Sequence, residues 1–133
     1  MPKFLLMVNH DNGVVDKPMD EWEPAEVTAH MDYYGVLSRE LIENGEQIQF
    51  MALADPRLAK IVRSDGTAAP AVTDGPFPES KEVLAGFQVV DVESEARAIE
   101  IAARVSAVPG PGGIPIQQPI EVRQVMTESG GDV

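Results

Sequence analysis

The sequence predicts an α+β domain in which two helices lie against one mostly antiparallel sheet. Three observations carry that expectation. The segments run β-α-β-hairpin-β-α-β, two long stretches repeat apolar residues at helical spacing, and short strand-like runs are separated by Gly, Pro, Asn and Asp. The 133 residues and 14.4 kDa fit one domain, expected over 1–126, with 127–133 as a flexible C-terminal tail. With 44% apolar residues, such a chain buries roughly two-thirds of its unfolded surface without staples.

Lys3–Asn9 is continuously apolar after its first residue and reads as a buried strand. His10–Trp22 carries Gly13 and Pro18 and reads as a loop. A helix is expected from Pro24, because proline suits the first turn and Glu23 and Glu26 favour a helix N-terminus. Val27, Met31, Tyr34, Leu37 and Leu41 make its apolar stripe, and Asn44-Gly45 stops it. Gln47–Leu53 alternates as a second strand. Ala59–Arg63 and Ala69–Thr73 flank Ser64-Asp65-Gly66-Thr67, a hairpin signal. The strand Val83–Val92 precedes a second helix capped by Ser94, with Ala96, Ile99 and Ala103 expected to face inward. Pro109-Gly110-Pro111-Gly112-Gly113 breaks the chain, and Ile120–Met126 closes it as a strand. This order is a ferredoxin-like plan with a β-hairpin inserted in its middle.

On Val83–Val92, Phe87 and Val89 point one way while Gly86, Val90 and Val92 point the other. Both faces are apolar, and two helices cover only one. A second copy of the same sheet is the simplest cover, so a homodimer is expected.

Composition excludes several functions. Cysteine is absent, which removes disulfides, thiolate catalysis and zinc–sulfur sites. The net charge of −12 repels phosphate backbones, so no direct nucleic-acid partner is expected. Phe4–Val8 is the longest apolar run, far below the ~20 residues of a membrane span, and the N-terminus lacks a signal peptide's apolar region. The chain is therefore expected to be soluble, unexported and cytoplasmic, with no membrane partner. No phosphate loop, Ser-His-Asp order or nucleophile elbow is present, and no cofactor or metal is expected.

The most distinctive segment is Asp74-Gly75-Pro76-Phe77-Pro78-Glu79-Ser80-Lys81-Glu82. Pro76 and Pro78 fix φ on either side of Phe77, so the loop is stiff enough to hold its side chains for binding. The plainer alternative is a turn with solvated charges. Asp74-Gly75-Pro76-Phe77, then Glu79, Ser80-Lys81-Glu82, Gly86-Phe87 and Ile120-Glu121-Val122-Arg123, resemble the signature of the DGPF family, which is related to YCII domains. The sequence departs from that pattern at Pro78, Ser80, Ala85, Gln88 and Gln124, and Gln88 stands where an aromatic ring is usual. The resemblance implies a fold similar to dimeric α+β barrels and proteins encoded beside extracytoplasmic-function sigma factors. It also implies a cleft where YCII relatives carry a His–Asp pair. Alignment on Gly45 puts that histidine at Tyr34, so the dyad is absent there.

Candidate chemistry centres on His30 and Tyr34, one helical turn apart, which with Asp74 would make a proton-transfer site. Phe77, Lys81 and Arg123 are candidate ligand-binding residues, with Arg123 suited to a carboxylate or, equally, to a neighbouring acid. His10-Asp11 is a weak metal signal. Met31, Met51 and Met126 can line an apolar pocket or fill gaps, and Trp22 is expected as a lid over the core. Three functions follow in order: a small-ligand-binding or accessory protein possessing this cleft, a cofactor-independent enzyme acting on a small organic substrate, and a protein–protein interaction module.

Overall fold

The computed structural model describes residues 1–10, 13–75 and 83–126. Six strands and two helices follow the expected order: β1 Lys3–Asn9, α1 Pro24–Glu43, β2 Gln47–Ala52, β3 Lys60–Arg63, β4 Ala71–Asp74, β5 Leu84–Asp91, α2 Glu95–Ser106 and β6 Ile120–Gln124. Single 3-10 turns at Met19–Glu21, Pro56–Leu58 and Pro111–Gly113 interrupt segments that read only as loops in the sequence.

The main sheet has the order β2-β5-β1-β6, and every pairing is antiparallel. That is the ferredoxin-like arrangement. Strands β3 and β4 form a separate two-stranded ribbon, with Lys60 opposite Asp74 and Arg63 opposite Ala71. Its ladder begins at Ala71 and not at Ala69, because Pro70 has no N–H to donate. Asp65 holds the loop: its Oδ1 accepts from Thr67 N at 2.9 Å and Ala68 N at 3.0 Å. Those N–H groups, with the Thr67 hydroxyl, lower its carboxyl to about 2.

Helix α1 starts with Pro24 in its first turn and a reciprocal capping box between Glu23 and Glu26. The second Glu26 oxygen accepts from Gly112 N at 2.6 Å, which ties the helix start to the loop after α2. The helix ends at Gly45, whose φ of +78° is the left-handed conformation that glycine takes without a Cβ clash.

Phe4 and Leu6 of β1 and Val90 of β5 pack beneath Leu37 and Leu41 of α1 and Ala98, Ile101, Ala102 and Val105 of α2. Two sequence expectations are corrected here. On α1 the inward stripe runs through His30, Leu37 and Leu41, while Met31 is 58% exposed. On α2 the buried positions are Ala98, Ile101, Ala102 and Val105, and Ala96, Ile99 and Ala103 face outward. Ser94 caps through Arg97 N, and from that start the 98-101-102-105 spacing is the one that meets the sheet. A second small cluster joins Trp22, Val108 and Ile116, so Trp22 does cover the core.

The other face of the sheet carries Leu5, Met7, Ala85, Phe87 and Val89, all half-buried, with both helices on the opposite side. Among the described residues no helix is long and apolar enough to cross a membrane.

Arg97 links α2 to the β2 entry by a fork onto Glu46, with Nε to Oε2 and Nη2 to Oε1 both at 2.8 Å. The two side chains are 23% and 15% exposed. Charged, bidentate and largely shielded, this pair should matter more than the exposed ones. Replacing Arg97 with Ala should lower unfolding free energy by about 1–2 kcal/mol in urea melts, and Arg97→Lys should recover only part of it.

Candidate functional site

The N-terminal half of α1 presents His30 and Tyr34, four residues apart and so on one side of the helix. Their ring centroids lie 5.2 Å apart, edge to face. Trp22 closes the other side of His30 at 5.4 Å in the same geometry. Trp22 is held by its own indole N–H, which donates to Lys17 O at 3.1 Å.

His30 is 7% exposed, and its Nδ1 lies 3.0 Å from Pro109 O. A carbonyl oxygen only accepts, so Nδ1 carries the hydrogen and the neutral ring keeps its lone pair on Nε2. Burial pushes the His30 pKa below its ordinary 6.5, against a smaller raising effect of the Pro109 carbonyl. Burial also raises the Tyr34 hydroxyl above its ordinary value, helped by Tyr33. Both groups are thus neutral at physiological pH.

Tyr34 leads to a cleft. Its ring is 6.1 Å from that of Phe50 on β2, and Phe50 lines a cavity of about 120 Å³. With Met51, Ala85 and Phe87 completing its lining, the cavity is walled by Leu6 and Val8 of β1, Phe50 and Ala52 of β2, and Gly86 and Gln88 of β5. In the strand register these six positions share the helix-facing side: Leu6 and Phe50 both pair with Gln88, and Val8 and Ala52 with Gly86. Gly86 supplies the floor. A Cβ there would come within 2.7 Å of Met51 O, so the close approach of β2 requires glycine.

The structure brings two of the expected proton-transfer residues together and sets the third apart. His30 and Tyr34 are in contact. Asp74 lies on β4, where its carboxylate pairs with the Lys60 ammonium across the exposed ribbon. The Nδ1 of His30 faces a backbone carbonyl and not a carboxylate. Arg123 is on β6 beside Glu121 and pairs with it, on the sheet face away from the helices. Phe77 and Lys81 lie outside the described residues, as does most of the 74–82 loop. Of the three methionines, Met51 lines the cleft, while Met31 and Met126 are 58% and 93% exposed. Among the described residues no group of three His, Asp or Glu side chains could hold a metal.

Sequence reasoning missed the cleft wall. Its signal was the alternation of Gly86 and Gln88 with Phe87, which places a hole and an amide side by side on a core strand.

With this geometry in view, a family model for the YCII-related domain matches residues 3–114. The chain belongs to the YCII-related domain family. The match spans β1 through α2, including His30, Tyr34 and every residue of the cleft; β6 lies beyond it. No curated protein matches the chain. In this YCII-related protein His30 lies one helical turn before Tyr34.

The buried histidine makes a pH prediction. The unfolded chain takes up this proton near 6.5, whereas the folded chain resists it until lower pH. The His30 contribution is therefore intact above about pH 6.5 and is lost as pH falls below it. Between about pH 7.5 and about pH 5.5 the melting temperature of the protein should fall by roughly 2–4 °C more than that of His30→Phe. Parallel melting curves would refute this assignment.

Proposed function

We propose that this protein binds a small organic molecule in the cleft over Gly86, lined by β1, β2 and β5, as a non-enzymatic binding or accessory protein. The observation that supports this reading is the cleft's composition. Among the described residues no ionisable side chain lines it, and His30 and Tyr34 have no carboxylate partner among the described contacts. Proton transfer wants a base with its orienting acid and a reacting atom within reach. Binding wants a preformed apolar concavity with few polar groups. The second condition is the better met.

The enzymatic alternative draws on one feature, the Nε2 lone pair left by the His30–Pro109 hydrogen bond. On that reading His30 is the base, Tyr34 the acid, and Asp74 would have to be supplied by movement of the ribbon. The resemblance to the DGPF branch adds an accessory role near sigma-factor regulation in the cytoplasm.

The working form is a homodimer. Leu5, Met7, Ala85, Phe87 and Val89 form one apolar surface on the face without helices, and a second copy of that surface is its self-complementary cover. Light scattering should give twice the 14.4 kDa chain mass at micromolar concentration. Val89→Glu, placed at the centre of that face opposite Leu5, should give monomers. A wild-type monomer would sink the assembly.

For the binding reading, a thermal-shift screen against small neutral metabolites should find ligands that stabilise by about 2.7 kcal/mol at a hundredfold excess over Kd. Ala52→Phe, on the edge strand at the cleft mouth, should abolish the shift while leaving the unliganded melting temperature unchanged. A response that survives this substitution would place the ligand elsewhere.

A further inference from the structure

We infer that the β3–β4 ribbon is a docking arm for a second copy of this chain, which it grips beyond the helix-free face of the sheet. This rests on the homodimer reading above and adds a second contact to it.

Every residue of Lys60–Arg63 and Ala71–Asp74 is exposed, so neither side of the ribbon is packed within its own subunit. Among the described residues its side-chain bonds close within 55–75: Asp55 with Arg57, Lys60 with Asp74, and Asp65 with Thr67 and Ala68. A two-stranded hairpin left to itself is marginal in water. This one also turns apolar groups outward. Val62 and Val72 are opposite each other in the register, 60% and 57% exposed, and Leu58 just before β3 is 70% exposed. A cross-strand valine pair stabilises a ribbon mainly through burial, and here the cover has to come from outside the subunit.

Charge selects what covers it. Residues 55–75 hold three acids and three bases and are neutral, so the whole net charge of −12 lies on the rest of the chain. Two such acidic bodies repel each other. The ribbon is a segment that can lie against a second copy without adding to that repulsion. Arg63 at the end of β3 has no ion-pair partner among the described residues, which leaves a guanidinium for the acidic surface of that copy.

Area points the same way. The five apolar side chains of the helix-free face are already half-buried, so they offer little of the ~800 Å² that each partner of a stable pair contributes. Two arms related by the dimer axis, each laid on the other copy, add the missing surface and keep the contact self-complementary.

The test is sedimentation equilibrium of the full chain beside two arm variants, Arg63→Glu and Val62→Asp combined with Val72→Asp. All three side chains are exposed, so the packed body keeps its fold. Each variant should raise the dimer dissociation constant at least about tenfold. Amide NMR separates docking from a local change in the ribbon. The amides of 60–63 and 71–74 should differ between the wild-type dimer and the Val89→Glu monomer, although Val89 pairs only with Leu5 and Gln49. A wild-type dimer with an unchanged dissociation constant in both variants overturns the arm and leaves the homodimer standing, as do ribbon amides identical in dimer and monomer. A wild-type monomer overturns the arm and the homodimer together.

Discussion

Two helices lie over only part of one face of a four-stranded sheet, and the remaining features follow from where their cover ends. Leu37, Leu41, Ile101 and Val105 press onto the half of the sheet where Phe4 pairs with Val90. Four residues along, where Val8 pairs with Gly86, the helix-facing side opens into the cleft, and Phe50 remains 45% exposed beside it. Among the described residues no helix covers the reverse face. One shortage of apolar cover thus leaves both a concave site and an uncovered apolar surface.

The seating of α1 is set by polar groups that close onto backbone. Trp22 donates to Lys17 O, Glu26 accepts from Gly112 N, His30 donates to Pro109 O, and Tyr33 donates to Arg104 O at 2.6 Å. Three of these bonds join α1 to α2 or the segment that follows it. They fix the pitch of the helix over the sheet more sharply than apolar packing alone, because each has one allowed direction. His30 in this arrangement is a strut as much as a candidate base.

Much of the fold was legible because its signals are local. Strand β1, helix α1 and helix α2 follow from an apolar run, a proline with flanking glutamates, and the Ser94 cap. Facing was harder to read. Met31 looked inward because it lies at helical spacing from Tyr34 and Leu37, yet the Trp22 and Pro109 contacts turn the helix so that His30 takes the inner position. Ala96, Ile99 and Ala103 also sit at helical spacing, and spacing alone cannot choose between two stripes offset by two residues. The candidate site divided in the same way. The His30–Tyr34 contact is intrahelical and readable from i and i+4, whereas the cleft depends on β1, β2 and β5 meeting in one register, which sequence does not display.

The charge distribution then bears on what such a site selects. With 22 acids against 10 bases, the protein's field opposes anions at long range. Five of the ten bases are already engaged: Arg57, Lys60, Arg97, Arg104 and Arg123 each pair with a carboxylate of the same chain. Arg123, the residue best suited by type to grip a carboxylate, has Glu121 beside it and faces away from the cleft. Recognition of an anion by any of these five would require breaking its pair and overcoming the overall repulsion. A neutral molecule meets neither obstacle, and the apolar wall of the cleft is the surface that rewards it.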